Sequence, residues 1–388
     1  MRLRFWAVRF VVIVTLLTAS GAVVARGTLT PPGGQQLQEA WLLGADTGWV
    51  WTQDEAGPVG GGGSQGIELT TDGGRSWLDV TPPGLAVQGG THWISGLFAL
   101  NTDDAWVSYG GVGSEATQTI MVTTDGGRTW RAIGPKPPWC ALQFVSISDG
   151  WCPAIGAALG SETVTLYRTT DGAHSWRIVS RSPLYGSRQG ELPFGGDKDI
   201  DFTNSRTGWA VFETPVRTAQ LFETENSGQT WVARHVTAAP HSRYGGSFVG
   251  EPVLNSQYGA VGYSIERPSG SSTILYVSTD SGRDWRPLVP PGPPEPWLVD
   301  TLTARSWHLV YGDRILATDN AGRSWRTITT DHRFPALFYS YGSPTPPVVL
   351  FASDEIGWVV QQNHASVNTL WRTVDGGSQW DRVSIPGT

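Results

Sequence analysis

The stretch TTDGGRSW at residues 70–77 returns six times along the chain. It reads TTDGGRTW at 123–130, TTDGAHSW at 169–176, TENSGQTW at 224–231, STDSGRDW at 278–285, TDNAGRSW at 318–325 and TVDGGSQW at 373–380. The closing tryptophans are Trp77, Trp130, Trp176, Trp231, Trp285, Trp325 and Trp380, separated by 53, 46, 55, 54, 40 and 55 residues. A second phrase runs out of phase with this box. A small residue precedes Trp49, Trp106, Trp151, Trp209, Trp307 and Trp358, and Gly259-Ala260 stands at the remaining place. Each of these positions lies 18 to 28 residues before its box tryptophan. Two markers sharing one period of roughly 50 residues define a repeat architecture.

Within one period the pattern is all β. In the third repeat ALQFVSI alternates, GWCPAIG follows a turn, TVTLYRTT alternates again, and SWRIVS closes the unit. Four short strands separated by Gly, Asp and Ser turns fit this spelling. After residue 27 no useful helical period occurs. A four-stranded unit of ~40–50 residues, repeated four to eight times, is a propeller blade. The expectation is an all-β, seven-bladed propeller over residues 36–386, each blade completing its core against its neighbours. Blade one begins with its first strand near 37–43 and blade seven ends with its fourth near 381–385, so no strand is exchanged on closure.

The box needs its residue types. Aspartate accepts hydrogen bonds from turn amides, glycine permits positive φ, and tryptophan covers the turn with apolar area while offering an N–H. The structural box residues are Asp72, Asp125, Asp171, Asn226, Asp280, Asn320 and Asp375, each with its closing tryptophan. Asn226 and Asn320 keep an acceptor oxygen, Ala173 replaces a glycine, and Asp284 and Gln379 replace the hydroxyl.

S/T-x-D-x-G-x-S/T-W resembles the Asp-box, or bacterial neuraminidase repeat, over roughly residues 36–384. Sialidases, sortilin-type receptors and two-propeller xyloglucanases carry it. Pairing of the box with an upstream Gly-Trp is most similar to the photosystem II stability/assembly factor type. The resemblance implies the fold and places the boxes on the outer part of the blades, away from a functional face. It leaves function open, because these relatives differ in what they do. Sialidases also carry an Arg-Ile-Pro phrase in the first blade. None occurs here, and blade one contains a single arginine, Arg75, inside its box.

The remaining signals set a location and exclude chemistries. Arg2, Arg4 and Arg9 precede an apolar run from Phe10 to Ala25, the order of a secretory signal. Residues 1–27 are therefore a cleaved signal peptide or, through residues 5–25, a membrane anchor. Either leaves the remainder extracytoplasmic, secreted or held at the outer face of the cytoplasmic membrane. Export permits a disulfide, and Cys140 and Cys152 flank a strand-turn-strand stretch that brings them opposite each other.

The 388-residue chain carries a formal charge of -7, which gives no footprint for nucleic acid. The seven histidines are scattered without metal-ligand spacing, and no G-x-S-x-G elbow occurs. The expectation is no catalytic residue, no metal and no cofactor. For glycoside hydrolysis, Glu191, Asp197, Asp199, Glu251 and Asp331 are the carboxyl groups that could pair.

Three long inter-blade connections, 181–199, 234–250 and 328–346, carry the candidate binding residues Tyr185, Arg188, Arg243, Tyr244, Arg333, Phe334, Tyr339 and Tyr341. Tyr and Arg are common interface anchors, and loops on a rigid scaffold are where binding concentrates. The alternative is that these loops fold over the channel mouth and plug it. The proline runs GPKPPW (134–139) and VPPGPPEPW (289–297) read as extended spacers between blades. The leading functional expectation is a non-enzymatic exported scaffold that binds a protein, including a membrane protein, or assists membrane-complex assembly. A carbohydrate-binding or glycoside-hydrolase propeller is the alternative, with a glycan as ligand.

Overall fold

In the computed structural model seven β-sheets, antiparallel but for one added strand, follow one another around a ring. The structure describes residues 35–54, 64–85, 93–110, 118–155, 163–183, 186, 188–193, 198–213, 219–238, 246–254, 257–267, 270–334, 348–362 and 368–386. The expected signal or anchor segment, residues 1–27, lies outside them. No described helix is long and apolar enough to cross a membrane.

Blade one shows the plan: Gln35–Leu42, Gly48–Asp54, Gln65–Thr70 and Leu78–Asp79 pair in sequence order. The first strand lies at the channel and the fourth at the rim. Blade seven is built the same way from Val348–Phe351, Gly357–Gln362, Asn368–Thr373 and Asp381–Val383. Among the described residues each terminal blade thus draws its four strands from its own end of the chain, and no strand is exchanged between them. Blade six departs from the plan. Its second and third strands are one 12-residue element, Trp307–Thr318, folded at Gly312, whose φ is 61°. Blade five gains a strand, because His235–Val236 leaves blade four and pairs in parallel with Asp284–Leu288.

The box turns form a uniform girdle on one face. In each blade the leading Ser or Thr hydroxyl donates to the box Asp or Asn and accepts the N–H of the residue four positions on, as Thr70 does with Asp72 and Gly74 at 2.9 and 2.8 Å. Equivalent bonds begin at Thr123, Thr169, Thr224, Ser278, Thr318 and Thr373. The residue after each Asp or Asn bonds back to the turn between the first two strands, as Gly73 N does to Asp46 O at 2.8 Å. These bonds hold two positions per box at positive φ, which explains how Ala173, Ser227, Ser281 and Ala321 tolerate that conformation. The Asp284 departure has its own partner: its carboxylate lies 3.1 Å from His235 Nδ1 on the added strand.

At three junctions an indole bonds across to the next blade. Trp49 Nε1 donates to Asn101 O of blade two at 3.0 Å, and Trp151 Nε1 to Ser227 O of blade four at 3.2 Å. Trp358 Nε1 donates to Gly44 O at 3.0 Å, carrying the same contact from blade seven to blade one. Arg372 reinforces that closure. Its guanidinium lies over the Trp358 ring at 5.2 Å and donates to Ala45 O at 3.1 Å. Arg168 does the same over Trp151 at the junction of blades three and four.

Candidate functional site

The face opposite the girdle carries the second-to-third strand loops and the connections between blades. Among the described residues one connection stands apart. Residues 134–140, Gly-Pro-Lys-Pro-Pro-Trp-Cys, carry the chain from the rim strand Arg131–Pro135 of blade two to the channel strand Gln143–Phe144 of blade three. Prolines fix φ near -65° and withhold N–H groups, so the stretch cannot curl into a helix. Lys136 N still bonds to Gln118 O at 2.8 Å, extending the rim ladder by one residue. Pro137 is buried, whereas Pro138 and Trp139 emerge.

Trp139 is 66% exposed and has φ 57°. Five described non-glycine residues have positive φ; four lie in box turns, and Trp139 is the fifth. Left-handed backbone costs a bulky L-residue roughly 1–2 kcal/mol, so the surroundings must hold it there. Cys140, the next residue, is bonded to Cys152 on the second strand of blade three, with 5.2 Å between their Cα atoms. Cys140 also makes a β-bridge to Ala154, and its carbonyl accepts Lys136 Nζ at 2.6 Å. The tryptophan is therefore displayed from a covalently fixed base.

Lys136 lies half-buried at this base. Burial pulls its ammonium down to about 8, against the opposing pull of the Glu39 carboxylate. Glu39, on the channel strand of blade one, accepts bonds from Trp41 Nε1 at 3.2 Å and from Leu97 N at 2.9 Å.

The second proline-rich connection ends on a tryptophan too, with the opposite result. Trp297 is 4% exposed. The Arg314 guanidinium lies over its ring at 6.0 Å and reaches Glu295 at 3.5 Å, while Tyr311 meets the indole edge-on.

The structure separates the residues expected to bind. Phe334 is wholly buried, edge-on against Trp380, because the rim strand of blade six runs on to residue 334 instead of ending before it. It is a core residue, which corrects its place among surface anchors. Arg333 is exposed on that same rim strand, not in a loop. Arg188 is exposed in a connection that packs back on blade four, where Trp231 N bonds to Gly190 O at 2.9 Å and Leu192 is buried. Tyr185, Arg243, Tyr244, Tyr339 and Tyr341 lie outside the described residues.

Of the carboxyl groups considered for hydrolysis, Asp331 serves structure, accepting Trp380 N at 3.0 Å. Asp197 lies outside the described residues. Glu68 and Asp79 are cross-strand neighbours, and burial together with Asp79 pushes the Glu68 carboxyl up to about 7. They stand on the outer strands of blade one, away from the channel. Among the described residues no group of three or more His, Cys, Asp or Glu side chains is placed to hold a metal.

By sequence the chain matches no protein family and no characterised protein. By fold it is similar to several propellers. The propeller domain of the Trilobed protease from Pyrococcus furiosus superposes with a TM-score of 0.50 at 6% identity, over 92% of this chain and 99% of that one. An Aleuria aurantia lectin in complex with α-methyl-L-fucoside gives 0.46 at 10% identity over 92% and 98%. An α-L-arabinofuranosidase from Fusarium graminearum gives 0.43 at 13% identity over 74% and 91%. Likeness at this level is likeness of fold. The leading expectation of a protein-binding or membrane-assembly scaffold is corrected, because none of these neighbours bears it out. A membrane-protein partner has no support among them, and the aromatic-arginine face on which that expectation rested loses Phe334 to the core. The chain is a seven-bladed β-propeller.

Proposed function

We propose that this chain is an exported carbohydrate-binding propeller of the Asp-box type, with Trp139 as its stacking platform. One observation carries the reading. A large aromatic side chain is held in solvent, on strained backbone, by a disulfide and a lysine-carbonyl bond. Backbone strain away from the repeat's own turns is a pointer to function. The flat apolar face of an indole complements the C–H face of a pyranose or furanose ring, and its N–H offers a donor at the edge. Fixing the platform beforehand removes the ordering cost that a mobile loop would incur on binding.

The Asp-box assignment is supported by the seven equivalent turns and their shared hydrogen bonds. Export is supported by the basic-then-apolar N-terminus. The observation carries binding and not hydrolysis.

The test is a glycan array probed with the wild-type chain and with Trp139→Ala. The wild type is expected to retain at least one glycan class, and the variant to lose at least tenfold in affinity at unchanged melting temperature. Equal binding by the two proteins would refute the assignment of the platform.

A further inference from the structure

The ring closes between blades seven and one on an arginine, and the junction of blades one and two has the same plan without it. At the closure Arg372, on the third strand of blade seven, lays its guanidinium against the first turn of blade one. It donates to Ala45 O at 3.1 Å and lies 3.4 Å from Asp46 Oδ1. Gly73 makes room for it, since a Cβ there would stand 2.6 Å from Arg372 Cζ. Arg168 fills the junction of blades three and four in like manner, donating to Ser205 O.

The shared hydrogen bonds fix the correspondence at the next junction. Trp49 bonds to Asn101 O as Trp358 bonds to Gly44 O, and Gly126 N to Asp103 O as Gly73 N to Asp46 O. Thr102 and Asp103 therefore answer to Ala45 and Asp46. Leu69 stands where Arg372 does, with Leu78 as its cross-strand neighbour in place of Asp381. A leucine cannot span the gap. A groove of about 330 Å³ opens there, and Leu69, Trp77, Leu78, Thr102, Asp103 and Arg128 line it. A Cβ on Gly126 would lie 3.4 Å from Thr102 O and 3.9 Å from Asp103 Oδ1, so both acceptors converge where the closure holds its guanidinium.

Among the described residues no donor reaches Thr102 O or the Asp103 carboxylate. Arg128 does not take the part of Arg372. Its Nη1 bonds to Asp125 O at 3.0 Å, just as Arg75 Nη1 bonds to Asp72 O at 2.9 Å at the closure, where Arg372 is present as well. The walls suit an apolar stem: Leu78 is 56% exposed, and Trp77 offers only ring surface because its N–H is buried.

We infer that the groove between blades one and two binds a small guanidinium compound with a short apolar stem. Its planar fork meets Thr102 O and the Asp103 carboxylate as Arg372 meets Ala45 O and Asp46, and its stem lies along Leu69, Leu78 and Trp77. A planar fork reaches a carbonyl and a carboxylate together, which a compact ammonium does less well. The formal charge of -7 favours a cationic ligand. The site is distinct from Trp139 and does not rest on the carbohydrate-binding reading.

The test titrates the full chain at low ionic strength with butylguanidine, butylamine and butan-1-ol, followed by NMR, with melting temperatures as fold controls. Butylguanidine is expected to bind most tightly, butylamine more weakly, and butan-1-ol not measurably. Asp103→Asn should lower the affinity for butylguanidine about tenfold, the increment of one charge-assisted bond. Leu69→Arg, which restores the arginine of the other two junctions, should abolish probe binding with the melting temperature unchanged or raised. Trp139→Ala should bind as the wild type does. Should Leu69→Arg fail to fold, Asp103→Asn, on an exposed turn, decides alone. No binding of butylguanidine by the wild type, or equal binding by the wild type and Asp103→Asn, would overturn the inference. Butylamine binding as tightly as butylguanidine would overturn the assignment of a guanidinium.

Discussion

Residues 136–139, Lys-Pro-Pro-Trp, and residues 294–297, Pro-Glu-Pro-Trp, do the same mechanical job. Each carries the chain from a rim strand to the next channel strand and ends in tryptophan. One tryptophan is 66% exposed and the other 4%. Proline content does not explain the difference. At 297 the following blade supplies a cover, because its tight hairpin at Gly312 places Tyr311 and Arg314 against the indole. At 139 the disulfide pins the next residue instead, and φ turns positive so that the ring points outward. A similar local sequence thus becomes scaffold in one place and a presented surface in the other, according to what the next blade brings.

The contrast can be broken from either side. Trp297→Ala should be the most damaging change, costing about 3–5 kcal/mol as a large buried ring leaves a cavity; denaturant unfolding measures it. Joint replacement of Cys140 and Cys152 by serine removes a crosslink of sequence separation 12 and should cost about 3 kcal/mol. That variant should also lose glycan affinity in the native state, since nothing covalent then holds Trp139 in place. Trp139→Gly should behave in the opposite sense, with stability unchanged or raised by about 1 kcal/mol as left-handed strain is relieved, and with binding lost. Arg314→Met should cost under about 1 kcal/mol, the worth of a part-exposed cation–π contact. A loss as large as that of Trp297→Ala would mean that Arg314 does more than cap the ring.

The smallest effect concerns the opposite face. Hydrogen bonds from the Ser76 hydroxyl and amide hold the Asp72 carboxyl down at about 2. Its folded value lies below the unfolded value of about 4. Its contribution is therefore present above pH 4 and is lost as pH falls from about 4 to about 2. Asp72→Asn, which keeps an acceptor as Asn226 and Asn320 do, should flatten a small part of the acid limb of a stability-pH curve.

Periodicity explains what could be read from the chain. The box recurs because every blade repeats one hydrogen-bonding problem, and the structure meets it with the same bonds each time, whereas the small-residue-Trp phrase recurs as packing, its indoles donating across the junction at Trp49, Trp151 and Trp358 but not at Trp106 or Trp307. Departures such as Asp284 were visible, but their compensation was not, because His235 reaches Asp284 on a parallel strand that has no counterpart in the repeat. Phe334 has the sequence context of a loop aromatic, since strand ends carry little signal, and an unusually long rim strand takes it into the core. Trp139 carries no distinguishing mark in the sequence, for a physical reason. Its distinguishing feature is a backbone angle set by tertiary links, and its sequence context nearly matches that of a buried residue. The adjacent cysteine was the available clue, since a crosslink beside a Pro-Pro-Trp stretch fixes whatever that stretch displays.

The most direct measurement is oxidative footprinting of the full chain, read by mass spectrometry, with and without a saturating glycan identified on the array. Oxidation of the peptide holding Trp139 should fall at least fivefold on binding, while peptides holding the box tryptophans stay unchanged. A bound glycan that leaves Trp139 as reactive as in the free protein would contradict it.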